Sequence, residues 1–131
     1  MKKVNKVWGE ELWIANNELY CCKILKVKKQ YRCSYHMHKI KDETFYVRSG
    51  CILMEHEGEE FFMDNESPPL RICPGEYHGF TAVSDNVEII EGSTQHFDED
   101  SCRTDKSRFV EDGDFEEIFR LLYSDSSIRR R

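Results

Sequence analysis

The chain has 131 residues, 39% hydrophobic, 34% charged and 12% aromatic, with a formal net charge of −6. That length suits one domain with a real core, and that composition is too apolar and aromatic for a disordered chain. An acidic protein repels a phosphate backbone, so nucleic acid is not an expected partner.

No run approaches the ~18 apolar residues of a membrane span, and Met1-Lys2-Lys3-Val4-Asn5-Lys6 is not followed by an apolar stretch. A cytoplasmic protein without membrane contact is the expectation. The six cysteines (Cys21, Cys22, Cys33, Cys51, Cys73 and Cys102) contain no CxxC pair and read as reduced thiols.

From residue 11 to 92 short runs of β-branched, aromatic and aliphatic residues alternate with turn-formers, the pattern of an all-β sandwich or barrel. Strands are predicted near 11–16, 19–28, 33–38, 43–48, 51–56, 59–63, 70–73, 77–83 and 87–92. Asn16-Asn17, Ser49-Gly50 and Glu57-Gly58 mark hairpins, and residues 65–69 a longer loop. The barrel core is set at about 6–92. Residues 93–113 are polar and acidic and predict an irregular segment. A helix over about 114–124 follows, with Asp114 as N-cap and an apolar stripe of Phe115, Ile118, Phe119 and Leu122. The stripe should cover one side of the barrel, with a homodimer contact as its second reading. Residues 125–131, ending Arg129-Arg130-Arg131, read as a solvated basic tail.

His36-Met37-His38 is the most informative tripeptide. Residues i and i+2 of a strand share a face, so two imidazoles can converge on one ion. Glu43 begins the next apolar run, and Pro74-Gly75-Glu76-Tyr77-His78 feeds a third histidine into a later strand. Three imidazoles and a carboxylate suit one divalent transition ion (Mn, Fe, Co, Ni or Zn) better than Mg or Ca. Asp42 is an alternative to Glu43, because strand phase decides which carboxylate points inward. His56 reads as a surface histidine.

These residues resemble the two motifs of the cupin superfamily, GxxxxxHxHxxxxExxxxxxG and GxxxxxPxGxxHxxxN. His36, His38, Glu43 and Gly50 carry the first at matching spacing, and Gly75 and His78 carry the second. Gln30 replaces the first glycine, while Ser67, Cys73 and Ala82 replace the Gly, Pro and Asn of the second motif. The resemblance implies a cupin jelly-roll β-barrel with a short C-terminal helix, the four ligand-type side chains meeting inside it.

The flanks narrow the reading. Val7-Trp8-Gly9 resembles the opening of type II mannose-6-phosphate isomerases, and residues 91–103 resemble their segment after the barrel. The chain is also similar in size and in HxHxxxxE spacing to small D-lyxose isomerase-like proteins. The resemblance implies a metal-dependent aldose–ketose isomerase acting on a sugar or sugar phosphate. Proton transfer between C1 and C2 needs a base that is not a ligand. Glu91 is the first choice, on the expectation that partial burial raises its pKa, and His96 the second. Arg103 and Lys39 are the cations expected to hold a phosphate or hydroxyls. The same ligand set also fits an iron-dependent dioxygenase, and a non-catalytic sugar-binding module is the third reading.

Overall fold

The computed structural model describes residues 1–123 and the backbone of Arg129 and Arg130. In chain order the strands are β1 (Lys2–Lys6), β2 (Gly9–Asn16), β3 (Cys21–Val27), β4 (Tyr31–Arg32), β5 (His36–Met37), β6 (Glu43–Ser49), β7 (Ile52–His56), β8 (Glu59–Met63), β9 (Leu70–Ile72), β10 (His78–Ala82), β11 (Val87–Ser93), β12 (Cys102–Arg103) and β13 (Arg108–Phe109). Helix α1 (Asp112–Leu122) and β14 (Arg129–Arg130) complete the chain.

One sheet has the order β1-β2-β3-β11-β6-β9, and the other β12-β5-β10-β7-β8-β14, with β4 joining β10 to β13. The core lies between them: Leu25, Val27, Phe45, Val47 and Ile89 come from the first sheet, and Ile52, Met54, Phe61, Met63 and Phe80 from the second. The alternation that makes this possible is plain in β3, β6 and β11, where every second residue is buried. At one end of these strands the buried positions change from apolar to charged. Lys23, Glu43 and Glu91 continue the inward parity of Leu25, Phe45 and Ile89.

Several boundaries differ from the sequence expectation. Lys2–Lys6 pairs with β2 as an added edge strand; its lysines and its exposure hide it from hydrophobic patterning. Of the predicted strand 33–38 only His36–Met37 is strand, and the short β4 precedes it at Tyr31–Arg32. Side chains of the 105–107 segment replace ladder bonds there: Ser34 N–H donates to Ser107 Oγ at 3.0 Å and Tyr35 N–H to Asp105 Oδ1 at 2.7 Å. The segment 93–113 contributes β12 and β13 instead of staying irregular throughout.

Helix α1 begins two residues early, with Glu111 rather than Asp114 at the N-cap. Gln30 Nε2 fixes that entry, donating to Val110 O at 2.9 Å and to Asp112 Oδ1 at 2.7 Å. Phe115, Ile118, Leu121 and Leu122 pack with Leu53, Phe62, Val83 and Val110, so the stripe faces the barrel as expected, except that Phe119 is turned to the surface. Residues 125–128 and 131 of the expected tail, and residue 124 of the expected helix, lie outside the described residues. The backbone of Arg129 and Arg130 pairs in parallel with Phe61 and Phe62 of β8, and is therefore not purely solvated.

Gln30 has φ 71°, the left-handed conformation that glycine takes without steric penalty. The position thus keeps the backbone of the motif's glycine while its side chain secures the helix. No helix among the described residues is long and apolar enough to cross a membrane.

Candidate metal centre and its cavity

His36 and His78 are cross-strand partners on β5 and β10, His38 lies just beyond β5, and Glu43 opens β6 of the facing sheet. The three imidazole rings stand 4.4–5.5 Å apart between centroids. One ring nitrogen from each can be chosen so that all three lie within 4.8 Å of one another. Glu43 Oε2 is 3.1 Å from His78 Nε2 and 3.4 Å from His38 Nε2.

Backbone carbonyls fix the tautomers. His36 Nδ1 faces Ser34 O at 2.7 Å, His78 Nδ1 faces Glu76 O at 3.0 Å, and His38 Nδ1 faces Asp100 O. A carbonyl only accepts, so each Nδ1 carries a proton, and in the neutral ring that leaves the Nε2 lone pair for the centre. Burial lowers His36 to about 3, with His78 adding to the effect, and burial also lowers His38. His36 and His38 are therefore held neutral, as metal ligation requires. Glu43 Oε2 and His78 Nε2 are buried without a hydrogen-bond partner. Two such orphans side by side are unfavourable unless something between them accepts both lone pairs, and a cation does so. The donor set fits a divalent transition ion.

Asp42 points away from this centre and binds Arg71, whose Nη2 lies 2.6 Å from Asp42 Oδ2. Glu43 is thus the inward carboxylate. His56 is likewise elsewhere, 3.1 Å from Glu76.

The centre opens into a cavity of about 390 Å³, within the range of small-molecule sites. A wider groove of about 720 Å³, lined by residues such as Lys26, Lys28, Asp85 and Glu88, has no histidine and no buried charge. The candidate site therefore lies in the smaller cavity. Glu91 and His96 both line it, together with Arg103. Lys39 does not: its side chain is exposed, because the turn after His38 directs Lys41 inward instead.

Lys41 and Lys23 are the inward cations that sequence reading misses. Lys41 Nζ donates to Glu91 Oε2 at 3.2 Å and to His96 Nδ1 at 2.7 Å. Lys23 Nζ lies 3.2 Å from His96 Nδ1, 3.5 Å from Glu11 Oε1, and 4.1 Å from the centroid of the Trp13 ring. Both lysines are almost wholly buried, and only paired lysines are found so deep.

This cluster corrects the expectation for Glu91. Burial does push its carboxyl up, but the Lys41 and Lys23 ammoniums outweigh burial and hold it below the usual carboxylate range. His96 is also far from a free neutral base. Its Nδ1 faces two ammoniums, so Nδ1 accepts and Nε2 donates to Asp98 Oδ1 at 3.0 Å. Burial, with Lys41 and Lys23, lowers His96 to about 4.

A pH dependence follows. The unfolded chain binds a proton at His96 near the ordinary value of 6.5, the folded chain only near 4. Protons favour the unfolded state between those values, so stability falls as pH drops from 6.5 towards 4 and is insensitive to His96 above that window. Melting curves of the chelator-treated protein should show a shallower decline for His96→Gln than for wild type across this window. Identical slopes would mean that His96 is not held neutral.

No protein-family model matches the sequence, and no curated protein matches it. Solved structures do. KdgF from Halomonas sp. has a TM-score of 0.64 at 19% identity, over 69% of this chain and 81% of that one. Pac13, a nucleoside dehydratase also solved from Streptomyces with uridine, has a TM-score of 0.67 at 14% identity, over 86% and 88%. CapF, a capsular polysaccharide assembling protein of Staphylococcus aureus, has a TM-score of 0.65 at 16% identity, over 84% and 34%, so the chain spans about a third of CapF. These are cupin-fold proteins, and the fold of this chain is the cupin jelly-roll β-barrel with one short C-terminal helix. Its three clustered histidines define a possible metal site within that barrel.

Proposed function

We propose that the chain is a metal-dependent isomerase that interconverts an aldose and a ketose, with His36, His38, Glu43 and His78 as ligands. The observation that carries this is that one cavity is lined both by the converging imidazoles beside Glu43 and by the Glu91–Lys41–His96 cluster. A divalent ion held there would act as a Lewis acid towards the substrate's adjacent oxygens. Glu91, ionised by its lysine neighbours, accepts the proton from carbon, and Lys41 returns charge balance as the proton moves. Lys41 also supplies a hydrogen-bond donor on the side where an oxyanion develops. The resemblance of the flanks to sugar isomerases supports the same reading, as do CapF and Pac13, whose names concern a polysaccharide and a nucleoside.

The charges favour a phosphorylated substrate. Lys6, Lys23, Lys41 and Arg103 line the cavity against Glu11, Glu43, Glu91 and Asp98, four cations against four carboxylates. A divalent ion leaves an excess of two positive charges, close to the charge of a phosphate monoester near neutral pH. Arg103 is the free partner: it lies opposite His36 across β12 and β5, is exposed, and makes no ion pair with a described residue. Its planar fork suits phosphate at the mouth.

The test is an isomerisation panel of mannose, lyxose, fructose, xylulose and their phosphates, with Mn, Fe, Co, Ni and Zn supplied in turn. Turnover with solvent deuterium at C1 or C2 of the product is expected, with phosphates preferred. An inert panel in protein that has bound metal would replace this proposal with a sugar-binding module or a dioxygenase.

A further inference from the structure

We infer that Asp100 is a positioning residue for the metal centre, tying together the turn that separates His38 from Glu43. This rests on the metal reading above and deepens it. Asp100 is 7% exposed and reaches the site from about sixty residues away in sequence. Its Oδ1 accepts the amide N–H groups of Lys39 at 2.7 Å and Ile40 at 3.1 Å. Its Oδ2 accepts that of Lys41 at 3.0 Å, with a longer contact from Ile40 at 3.3 Å. The same residue's backbone carbonyl faces His38 Nδ1.

Three consecutive amides all pointing to one side require an acceptor with several lone pairs, and a carboxylate has about four such sites. The consequences reach three functional side chains. His38 has its ring orientation and tautomer set directly. Glu43 emerges from a turn whose preceding backbone is pinned. Lys41 is carried by the last of the three amides, so its Nζ is aimed at Glu91 and His96 from a fixed base. A carboxylate in this role acts on metal affinity without being a ligand, as outer contacts of metal-binding histidines do.

Asp100→Asn keeps the size of the side chain but offers one oxygen and turns an NH₂ group towards N–H donors. The metal-free wild type, Asp100→Asn and the control Asn17→Ala are titrated with Co(II) against a competing chelator, and the visible spectrum of each Co(II) form is recorded. Asn17 also clamps a turn, accepting the Leu19 and Tyr20 amides at 2.9 and 3.0 Å, but in an exposed hairpin. Asp100→Asn should weaken Co(II) binding by about 10–100-fold and shift the spectrum, while Asn17→Ala lowers the melting temperature without changing either. Equal affinity and an unchanged spectrum in Asp100→Asn overturn the inference while leaving the metal site intact. Absence of Co(II) binding in wild type sinks both. Should Asp100→Asn not fold, hydrogen exchange of wild type decides: the amides of residues 39–41 should be protected, and exchange as fast as at the exposed Gly58 turn overturns the clamp.

Discussion

Replacing His36 and His38 together with alanine should reduce metal content from about one equivalent per chain to background, as read by elemental analysis of protein purified without added metal. The two residues supply two of the three lone pairs that converge, and His78 with Glu43 alone leaves the centre open on the side of β5. A metal held by His36, His38, Glu43 and His78, which come from both sides of the core, would bind the folded chain far better than the unfolded one. Stabilisation therefore amounts to about 2.7 kcal/mol when free metal exceeds the dissociation constant 100-fold. For a domain of this size that is a rise in Tm of roughly 10 °C. Wild type should gain it on metal addition and lose it with chelator, whereas the double variant should melt at one temperature in both conditions. Full metal content in the double variant, or a chelator that strips the ion without lowering Tm, would remove the site from the barrel interior.

The histidine cluster is legible in the sequence because a strand period and a motif spacing coincide. The i, i+2 spacing of His36 and His38 places both on one side of a strand, and the distances to Glu43 and His78 match a known motif. The barrel is legible because β3, β6, β7, β10 and β11 carry apolar residues in β-type runs. What escapes is the polar half of the cavity. In Cys21-x-Lys23-x-Leu25-x-Val27 the parity already places Lys23 inward, but a lysine is read outward by default, since it is almost never buried unless paired. Its partners Glu11 and His96 come from β2 and from the segment after β11, so the compensation becomes visible only when the strands are assembled. Lys41 and Asp100 are hidden for a second reason. Both act through a turn, where neither period applies, and turn geometry decided that Lys41 rather than Lys39 enters the cavity.

That assembled network also changes the chemistry expected of Glu91. Treated as a lone buried carboxyl, it would be protonated near neutrality and poised to exchange a proton. Set against Lys41 and Lys23, it is ionised at neutral pH and so able to accept a proton, as a weaker base than a free carboxylate. The folded state binds its proton less tightly than the unfolded state. Its stabilising effect is thus complete above the ordinary carboxylate value and lost as pH falls through the lowered one. Activity that depends on Glu91 should accordingly persist into mildly acidic solution, down to where His96 protonates.

Glu91→Gln should lower turnover by about 10²–10⁴-fold while leaving metal content at one equivalent, because glutamine keeps the shape and the hydrogen bond from Lys41 Nζ but accepts no proton from carbon. It should also reduce stability. Removing one member of a buried ion pair costs about 3–5 kcal/mol when the other charge is left alone. Here the loss should fall below that range, since the amide oxygen still faces Lys41 and Glu43 lies near enough to favour the ammonium. The two effects separate the roles of the residue. Rates are measured per folded, metal-loaded molecule, with Glu91→Asp alongside: it restores the negative charge one methylene further from Lys41. If Glu91 moves the proton, Glu91→Asp recovers part of the turnover and Glu91→Gln none. If Glu91 only holds Lys41 in place, both variants turn over at a similar, modestly reduced rate once the unfolded fraction is subtracted. Proton movement then passes to the hydrogen-bonded pair of Lys41 and His96 in the same cavity.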